Sequence, residues 1–487
     1  MATTDSIYRH QRAADFSGLY GAGDSMNMAL GYAAEGCNFC ISNHSLTSMH
    51  RGTPLPGSLS GSIGTLALLH RRFSRPAGQD ARLLAAVSEG CLYVRDLSAS
   101  GWTKVYSGFA LDDFDWVCYE VNRDANGNDS ANPIDVLLLT NAQDGMYCLY
   151  GDSLKVRKVT IQPDLSKPEI RFGVLARHCE RIWGSGIAGD PDRLMYSVPY
   201  DPFDWSQNDA IPEDGAGDIF QPSWDGDSFI ALRPYGSYLL ALKKSRVWRI
   251  IGSDPGTYVM KEQFGGGAIC ENTVCVHSSL AYMLGYDGLM RYDGVDVSRF
   301  GQAAVDSVLT RLSQAGMSRA SAAVYRDFYL LAVALDGSAV NNALLIYDIP
   351  HQRFTLAEGV GVRAFLVDGD QLYLTNEAAP GEVILAEGGD ALPMRYVSGW
   401  QNQADPALEK RAFRVYLTSE TDAEFSVGIR TERSLRHKRV ALRAGKRRCI
   451  HLPNHGHRWR LELACDQTRE WRLVDGIDVY LDVDAEQ

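Results

Sequence analysis

Residues 273–294 read TVCVHSSLAYMLGYDGLMRYDG, and this stretch alternates short apolar runs with turn residues. The runs 273–277, 280–284 and 289–292 are too short for typical helices and include β-branched and aromatic residues. Ser-Ser separates the first two runs, and a turn ending in Asp-Gly separates the last two. The stretch therefore predicts a small group of β-strands joined by tight turns.

Similar groups recur along the chain, so we expect seven clusters of strands. The other six comprise 63–70 with 82–95, 114–121 with 134–140 and 145–150, 174–187 with 193–198, 229–232 with 237–243 and 246–251, 320–325 with 328–335 and 343–348, and 362–367 with 371–375 and 382–386. In most clusters an apolar run containing an aromatic residue leads into a turn, as at Met290 to Gly294. Successive copies lie roughly 30 to 55 residues apart, a spacing typical of propeller blades.

This spacing predicts an all-β fold, a β-propeller of about 6–7 blades with degenerate repeats. One four-stranded sheet cannot bury both faces alone, whereas radial stacking buries them and leaves only short edges. The clearest helix candidate is 302–314, with Val305, Val308 and Leu312 on one face. Because helical periodicity is otherwise scarce, a doubly wound nucleotide-binding fold is not expected.

The pattern changes after Gly399, where longer runs alternate apolar and polar residues, as in 425–430 and 459–463. A period of two indicates sheets with one wet face, and about 80–90 residues of this kind suit a small β-sandwich. We therefore expect three parts. They are an N-terminal arm with first strands that close onto the propeller (1–60), the propeller (61–395) and a C-terminal β-sandwich (396–487).

The net charge of −12 is unevenly distributed. The segment 410–472 contains 16 Lys and Arg against seven Asp and Glu, a net charge of +9, so the rest of the chain carries −21. An acidic body repels nucleic acid rather than attracting it. The basic segment could contact nucleic acid, an acidic partner or the acidic surface of its own assembly. It could also be no more than a solvated sheet face.

Targeting signals are not evident in the sequence. The first residues lack a basic region followed by an apolar stretch, and no run approaches the 18 apolar residues of a membrane span. We expect synthesis in a cytoplasm and no membrane span. Ten scattered cysteines suit that compartment, and only Cys37 and Cys40 have CxxC spacing. His44 and His50 follow them, but not in a zinc-finger pattern.

Two acidic stretches have the residue types of a ligand site. Asp124, Asn126 and Asn128 resemble half a calcium loop, but the bidentate Glu is missing and the enclosed Asn-Gly is a strong hairpin signal.

The second stretch contains Asp201 and Asp204, shortly after Asp190 and Asp192. Paired carboxylates beside aromatic residues could serve a glycosidase, yet Asp-Pro followed by an aromatic residue is also ordinary turn chemistry.

Sequence motifs of catalysis are otherwise lacking. No GxGxxG motif opens a helix after a strand, and the chain contains no GxxxxGK(S/T) phosphate loop, no HExxH and no GxSxG nucleophile motif. The tripeptide 101–103 is similar to the end of a sialidase Asp-box, but the preceding Asp is missing. We therefore expect no enzymatic activity, no catalytic residues, no metal and no cofactor.

Several stretches together resemble bacteriophage tail or neck structural proteins. They are Asp24 to Met28, Tyr32 to Ile41, Ser45 to Gly52, Arg181 to Gly186, Pro191 to Ser197, Asp201 to Trp205, Leu239 to Gly252, Gly285 to Gly294, and Lys410 with Arg411. The nearest family is that of propeller-containing tail nozzle or tail hub proteins, also called packaged-DNA stabilisation proteins. The resemblance covers most of the chain, without a single diagnostic motif.

The resemblance implies a virion structural protein made in the host bacterial cytoplasm. It implies a homo-oligomeric ring that contacts other tail, adaptor or portal proteins and encloses a channel. Packaged DNA would be retained in this channel and then pass through it transiently, without specific contacts. A like-charged, acidic lumen would let DNA slide. The alternatives are a receptor- or glycan-binding propeller, such as a tail adhesin, and a propeller glycoside hydrolase.

Overall fold

The computed structural model describes residues 6–21, 25–76, 80–163, 166, 168–208, 210–222, 226–402 and 406–484. Within these ranges the chain is nearly all β, which confirms the predicted class. The helical elements there are one α-helix, Gln302–Leu309, and three 3₁₀ turns, Pro212–Asp214, Glu271–Thr273 and Gln314–Arg319. The predicted helix is therefore present, but its α-helical part ends at Leu309 rather than at residue 314. No helix in the described ranges has the length and apolar character needed to cross a membrane.

Seven four-stranded antiparallel sheets, here called sheets 1 to 7, make up the body. Sheet 1 is Ile63–His70, Arg82–Ser88, Cys91–Asp96 and Thr103–Ser107; sheet 2 is Asp115–Arg123, Asp129–Asn141, Gly145–Tyr150 and Val156–Val159; sheet 3 is Val174–His178, Arg181–Ser185, Arg193–Tyr196 and Gly217–Phe220; sheet 4 is Ala231–Tyr235, Tyr238–Leu242, Val247–Ile251 and Val259–Gln263; sheet 5 is Cys275–His277, Leu280–Gly285, Gly288–Tyr292 and Val297–Arg299; sheet 6 is Ser321–Tyr325, Phe328–Val333, Ala343–Asp348 and Arg353–Glu358; and sheet 7 is Val362–Asp368, Gln371–Asn376, Ala379–Leu385 and Thr53–Pro54.

The seven sheets follow one another in a closed cycle. The first strand of each sheet contacts the first strand of the next, and the first strand of sheet 7 contacts that of sheet 1. Sheet 7 takes its fourth strand from the beginning of the chain, where Thr53 and Pro54 pair with Leu385 and Ile384. Early and late parts of the chain are thereby joined within one sheet.

Two further sheets of six strands each pack against one another, and we call them the two-layer unit. One contains Ser6–Ala13, Phe39–Ser42, Ser45–Ser48, Lys410–Ser419, Lys446–Gly456 and Arg472–Asp484; the other contains Gly18–Leu19, Tyr32–Cys37, Met394–Ser398, Ala423–Thr431, Leu435–Leu442 and Trp459–Cys465. Aromatic pairs bridge the layers: ring centroids lie 5.5 Å apart in Phe413–Trp459 and 5.4 Å apart in Phe425–Trp471.

The N-terminal strands differ from the expected arm over 1–60. The described strands between residues 6 and 48 belong to the two-layer unit; Ser6–Ala13, for example, runs antiparallel to Arg472–Asp484. Among the described strands before residue 60, Thr53–Pro54 is the one that pairs with a strand of the seven-sheet body. Long-range pairing of this kind depends on tertiary contacts, which local strand patterns do not encode.

Sheet 6 carries the two-layer unit. The backbone N–H of Asn38 donates to the carbonyl of Leu356 at 2.7 Å, and the Asn38 side-chain oxygen accepts from the Glu358 N–H at 2.8 Å. The Asn38 amide nitrogen donates to Pro393 at 2.8 Å. One core cluster continues from the unit into sheets 5 and 6. The unit is therefore firmly docked on one side of the body.

Candidate interaction surfaces

The most basic part of the chain lies on two neighbouring edge strands of the two-layer unit. Residues 433–458 contain nine Lys or Arg and no Asp or Glu. Leu435–Leu442 pairs only with Ala423–Thr431, and Lys446–Gly456 pairs only with Lys410–Ser419 among the described strands. The two edges contact each other across the layers. The cations are thus concentrated at one open edge of the unit.

Six of these cations, here called the basic surface, have no ion-pair partner in the described part of the chain. They are Arg436, Lys438, Arg439, Lys446, Arg448 and Arg458, and all six are exposed. Neighbouring arginines are paired, as Arg433 is with Glu409 at 2.8 Å and Arg443 with Asp422 at 3.1 Å. The basic surface is therefore positive charge that the described part of the chain does not neutralise.

A solvated sheet face explains only part of this arrangement. On such a face exposed and buried residues alternate, but the four consecutive residues 436–439 are all exposed. Edge strands also carry Lys and Arg to block unwanted strand addition. That purpose needs only a few charges, and it leaves the complete lack of acidic residues over 433–458 unexplained.

An opposite surface lies on the body, in equivalent connections of sheets 3, 4 and 5. The third and fourth strands of these sheets are joined by residues 197–216, 252–258 and 293–296. None of these connections contains a Lys or Arg. We call their unpaired carboxylates the acidic surface: Asp204, Glu213, Asp214, Asp254, Asp293 and Asp296, none of which forms an ion pair in the described ranges.

Local turns hold these carboxylates in place. Asp204 accepts a hydrogen bond from the Ser206 N–H at 2.9 Å. Asp293 accepts from the N–H groups of Asp296 at 3.1 Å and Val295 at 3.0 Å, which lowers the pKa of its carboxyl group. Five of the six carboxylates are exposed and Asp254 is half-buried, so the surface is open to a partner.

Apolar side chains are exposed beside the acidic surface. Seven of the eleven large hydrophobic side chains that are exposed in the described part of the chain lie between residues 200 and 295. Tyr200, in the connection of sheet 3, is 71 % exposed, and Val295, between Asp293 and Asp296, is also 71 % exposed. Exposed apolar groups rimmed by polar residues are typical of protein–protein contacts. The acidic surface thus has the composition of a docking site.

The two surfaces lie on different parts of the chain's fold. The basic surface belongs to the unit docked on sheet 6, and sheet 3, which carries half of the acidic surface, is three steps away in the cycle of sheets. No ion pair joins the two surfaces within the described ranges. Each can therefore meet a complementary surface on another molecule.

The hypothetical calcium loop forms a hairpin turn between two strands of sheet 2. The Asp124 carboxylate accepts from the Asn128 side-chain amide at 3.1 Å and from the N–H groups of Asn128 and Asn126 at 2.9 and 2.8 Å, and these bonds lower the pKa of Asp124 to about 2. Asn126 in turn accepts from Lys155 at 3.2 Å. The Asp124 oxygens thus face donors of their own loop, and the Asn126 oxygen faces a lysine.

The four aspartates of the hypothetical glycosidase site serve separate turns and pairs. Asp190 pairs with Arg193 at 2.6 Å, and Asp192 pairs with the buried Lys243. The Asp201 carboxylate accepts from the Phe203 N–H at 2.9 Å. Asp204 accepts from the Ser206 N–H, as described above, so each of the four carboxylates has its own partner. No group of three or more His, Cys, Asp or Glu side chains with the arrangement of a metal site occurs in the described ranges.

The CxxC cysteines are free thiols in different settings. Burial, and next the Glu358 carboxylate, raise the pKa of Cys37 to about 11. Burial alone raises the pKa of Cys40 to about 11. Trp102, from the hypothetical Asp-box, donates to the carbonyl of Gly57 at 3.3 Å. None of these side chains is activated as a nucleophile or metal ligand.

Charged groups near the centre of the cycle tie the first strands together. Asp115 of sheet 2 accepts from the Leu175 N–H of sheet 3 at 2.9 Å, and Arg233 of sheet 4 lies 3.9 Å from the same carboxylate. Arg233 also donates to the carbonyl of Glu271 at 3.3 Å. Burial, and next the charge of Asp115, raise the pKa of Glu271 to about 8.

Sequence reasoning found the basic segment but missed the acidic surface. A usable signal was present, because residues 194–232 contain eight Asp or Glu and no Lys or Arg. What the sequence did not reveal is that connections of three different sheets bring such residues to corresponding places.

Comparisons with known proteins do not identify a family. Neither the protein-family models nor the curated proteins that were searched give a match. Among solved structures, the chain is similar to the computationally designed Ika8 protein, with 10 % identity, a TM-score of 0.37 and coverage of 69 % of this chain and 100 % of that one.

Two natural proteins have similarly low sequence identity and TM-scores to this chain. Sqt1 from Saccharomyces cerevisiae has 9 % identity and a TM-score of 0.39, with coverage of 70 % of this chain and 100 % of Sqt1. The extracellular domain of the hybrid two-component system BT3049 from B. thetaiotaomicron has 9 % identity and a TM-score of 0.43, with coverage of 82 % and 53 %. Likenesses this low carry no conclusion about function.

Proposed function

We propose that the protein is a structural component of a bacteriophage virion, a tail nozzle, hub or neck protein that assembles head-to-tail into a homo-oligomeric ring. In this proposal the seven sheets are the blades of a closed β-propeller and the two-layer unit is a β-sandwich carried on its side. The ring encloses a channel that retains packaged DNA and later lets it pass. The family resemblance of the sequence supports the virion assignment.

The unneutralised charge at two different places carries the ring proposal. A basic and an acidic surface on one chain are complementary between copies but not self-complementary, so they favour a heterologous contact. Heterologous contacts close into rings when the rotation per copy fits. The exposed Tyr200 and Val295 add apolar area next to the acidic groups, as the centre of an interface requires.

Charge reversal of the basic surface tests this assignment. The variant Arg436→Glu, Lys438→Glu and Arg439→Glu places three negative charges opposite the acidic surface of a neighbouring copy. We expect the wild-type protein to form rings in negative-stain images and the variant to sediment as a monomer. Because the contact is electrostatic, wild-type rings should also weaken as salt rises above about 0.5 M.

A matched control reverses three other exposed cations, Arg9→Glu, Lys104→Glu and Arg157→Glu, which lie outside the basic surface. This control should assemble like the wild type. Wild-type protein that remains monomeric at low salt, or rings that persist in the variant of the basic surface, would contradict the proposed contact.

DNA is the competing partner for the basic surface. Six cations on phosphates would give binding that falls steeply with salt, by roughly 10³-fold or more between 50 and 200 mM. The ring proposal predicts no such binding, because the cations face the neighbouring copy. Retention of duplex DNA by wild-type protein, lost on reversal of Arg436, Lys438 and Arg439, would assign this surface to nucleic acid instead.

A further inference from the structure

A cavity separates sheets 6 and 7. It has a volume of about 420 Å³ and is walled largely by apolar side chains. Protein interiors are close-packed, and a space of this size lies within the range of small-molecule sites. Between sheets 3 and 4 the corresponding layer is filled by Trp183 and Trp248, both buried.

The residues between sheets 6 and 7 explain why this space is not filled. Strand pairing places Ile346 beside Thr355, and Leu344 beside Ala357, so these four side chains share one face of sheet 6. Ala386 lies on the opposite wall. The fourth strand of sheet 7 is only the two residues Thr53–Pro54, which leaves the outer part of the gap without a full strand.

The walls present apolar area that the described residues leave partly uncovered. Tyr325, Phe328 and Phe365 line the cavity and remain only partly buried. The strands Phe39–Ser42 and Ser45–Ser48 of the two-layer unit border it through Cys40, Ile41 and Ser48. An apolar molecule that entered would remove the exposed aromatic area from water, which is favourable.

The charged side chains that line the cavity determine which polar end group a bound apolar molecule can have. Asp348 and Arg353 form a pair at 2.8 Å, and Glu387 is paired with Arg326 at 3.2 Å. Arg51 is exposed and has no ion-pair partner in the described ranges. Among the ionised lining groups, the positive charge of Arg51 is therefore the one left over.

His50 of the lining is held by two polar neighbours. Its Nδ1 lies 2.9 Å from the carbonyl oxygen of Gly389. Its Nε2 lies 2.9 Å from the Ser48 hydroxyl oxygen. Both ring nitrogens thus have a partner within the protein.

We infer that this cavity binds an aliphatic carboxylate of medium chain length, with the chain between sheets 6 and 7 and the carboxylate at Arg51. The inference goes beyond the proposed ring, since neither charged surface lines the cavity. Binding here involves contacts only and no covalent step.

The test uses the full chain with N-phenyl-1-naphthylamine as a fluorescent probe and decanoate, decanol and decylamine as competitors. We expect one probe molecule per chain, displaced most effectively by decanoate. Arg51→Gln should weaken decanoate about five-fold and leave decanol unchanged, as expected for one exposed ion pair. Decanol or decylamine displacing the probe as well as decanoate would overturn the assignment of the carboxylate.

Filling variants test the location. Ala357→Phe should lower probe affinity about ten-fold or more, because the added ring occupies the site. Ala339→Phe makes the same change at an exposed position and should leave affinity unchanged. Ala386→Leu fills the cavity from the opposite wall and replaces Ala357→Phe if that variant unfolds. Absence of probe binding to the wild type, or unchanged binding to both filling variants, would overturn the inference.

Discussion

Charged side chains in the seven-sheet body and at the edge of the two-layer unit differ in whether they form ion pairs. In the body, the fully buried Lys243 is paired with Asp192, and the fully buried Arg71 with Asp96. At the edge, Arg436, Lys438 and Arg439 have no ionic partner in the described chain. The difference indicates that charge in the body supports the fold, whereas charge at the edge is available for an external contact.

The largest expected effect comes from breaking a pair within the body. Asp192→Asn removes the carboxylate that pairs with the Lys243 ammonium, which is 0 % exposed. We expect the free energy of unfolding to fall by about 3–5 kcal/mol, because removing one partner of a buried ion pair is costly. Chemical denaturation monitored by tryptophan fluorescence measures this change.

The matched variant at the edge is Asp422→Asn. Asp422 pairs with Arg443 at 3.1 Å, but both side chains are more than half exposed. Its removal should change the free energy of unfolding by less than about 1 kcal/mol. Equal losses for Asp192→Asn and Asp422→Asn would erase the distinction between the two regions.

A smaller effect should appear as a pH dependence of the body. The pKa of Glu271 is raised to about 8 by burial and by Asp115. The folded protein therefore holds a proton that the unfolded chain releases at lower pH, so this stabilisation is complete below about pH 4.5 and is lost as pH rises to about 8. In Glu271→Gln, stability measured by thermal unfolding should fall less between pH 5 and pH 8 than in the wild type, by about 1 kcal/mol or more. A parallel fall in both proteins would contradict the raised pKa.

The smallest expected effect on stability belongs to the basic surface. The variant Arg436→Glu, Lys438→Glu and Arg439→Glu changes exposed groups that form no ion pairs, so the free energy of unfolding should change by less than about 0.5 kcal/mol per substitution. Thermal unfolding of the monomer at high salt isolates this quantity from assembly. A loss of several kcal/mol would mean that these cations support the fold after all.

The strand clusters were predictable because they are local. Each of the seven predicted clusters corresponds to one sheet, since short apolar runs and turn residues specify hairpins without distant contacts. The fourth strands were the main omission: Thr103–Ser107 and Val259–Gln263 are mostly exposed and lack an apolar pattern. Their place is set by pairing with a neighbour, which a single run of sequence does not reveal.

The candidate surfaces also differ in whether the sequence alone reveals them. The basic segment was visible because its charges lie within one continuous stretch, 433–458. The acidic surface draws on connections of three sheets, and the cavity depends on small residues such as Ala357 and Ala386 from different sheets. Such juxtapositions arise only from the tertiary fold.

Exchanging the two charges within one chain tests the head-to-tail ring most directly. One variant reverses Arg436, Lys438 and Arg439 to Glu, a second reverses Asp204, Glu213 and Asp214 to Lys, and a third carries all six changes. Sedimentation velocity at low salt should show monomers for the first two and restored rings for the third, since complementarity returns. A third variant that stays monomeric, or either of the first two that still forms rings, would contradict the contact between the basic and acidic surfaces.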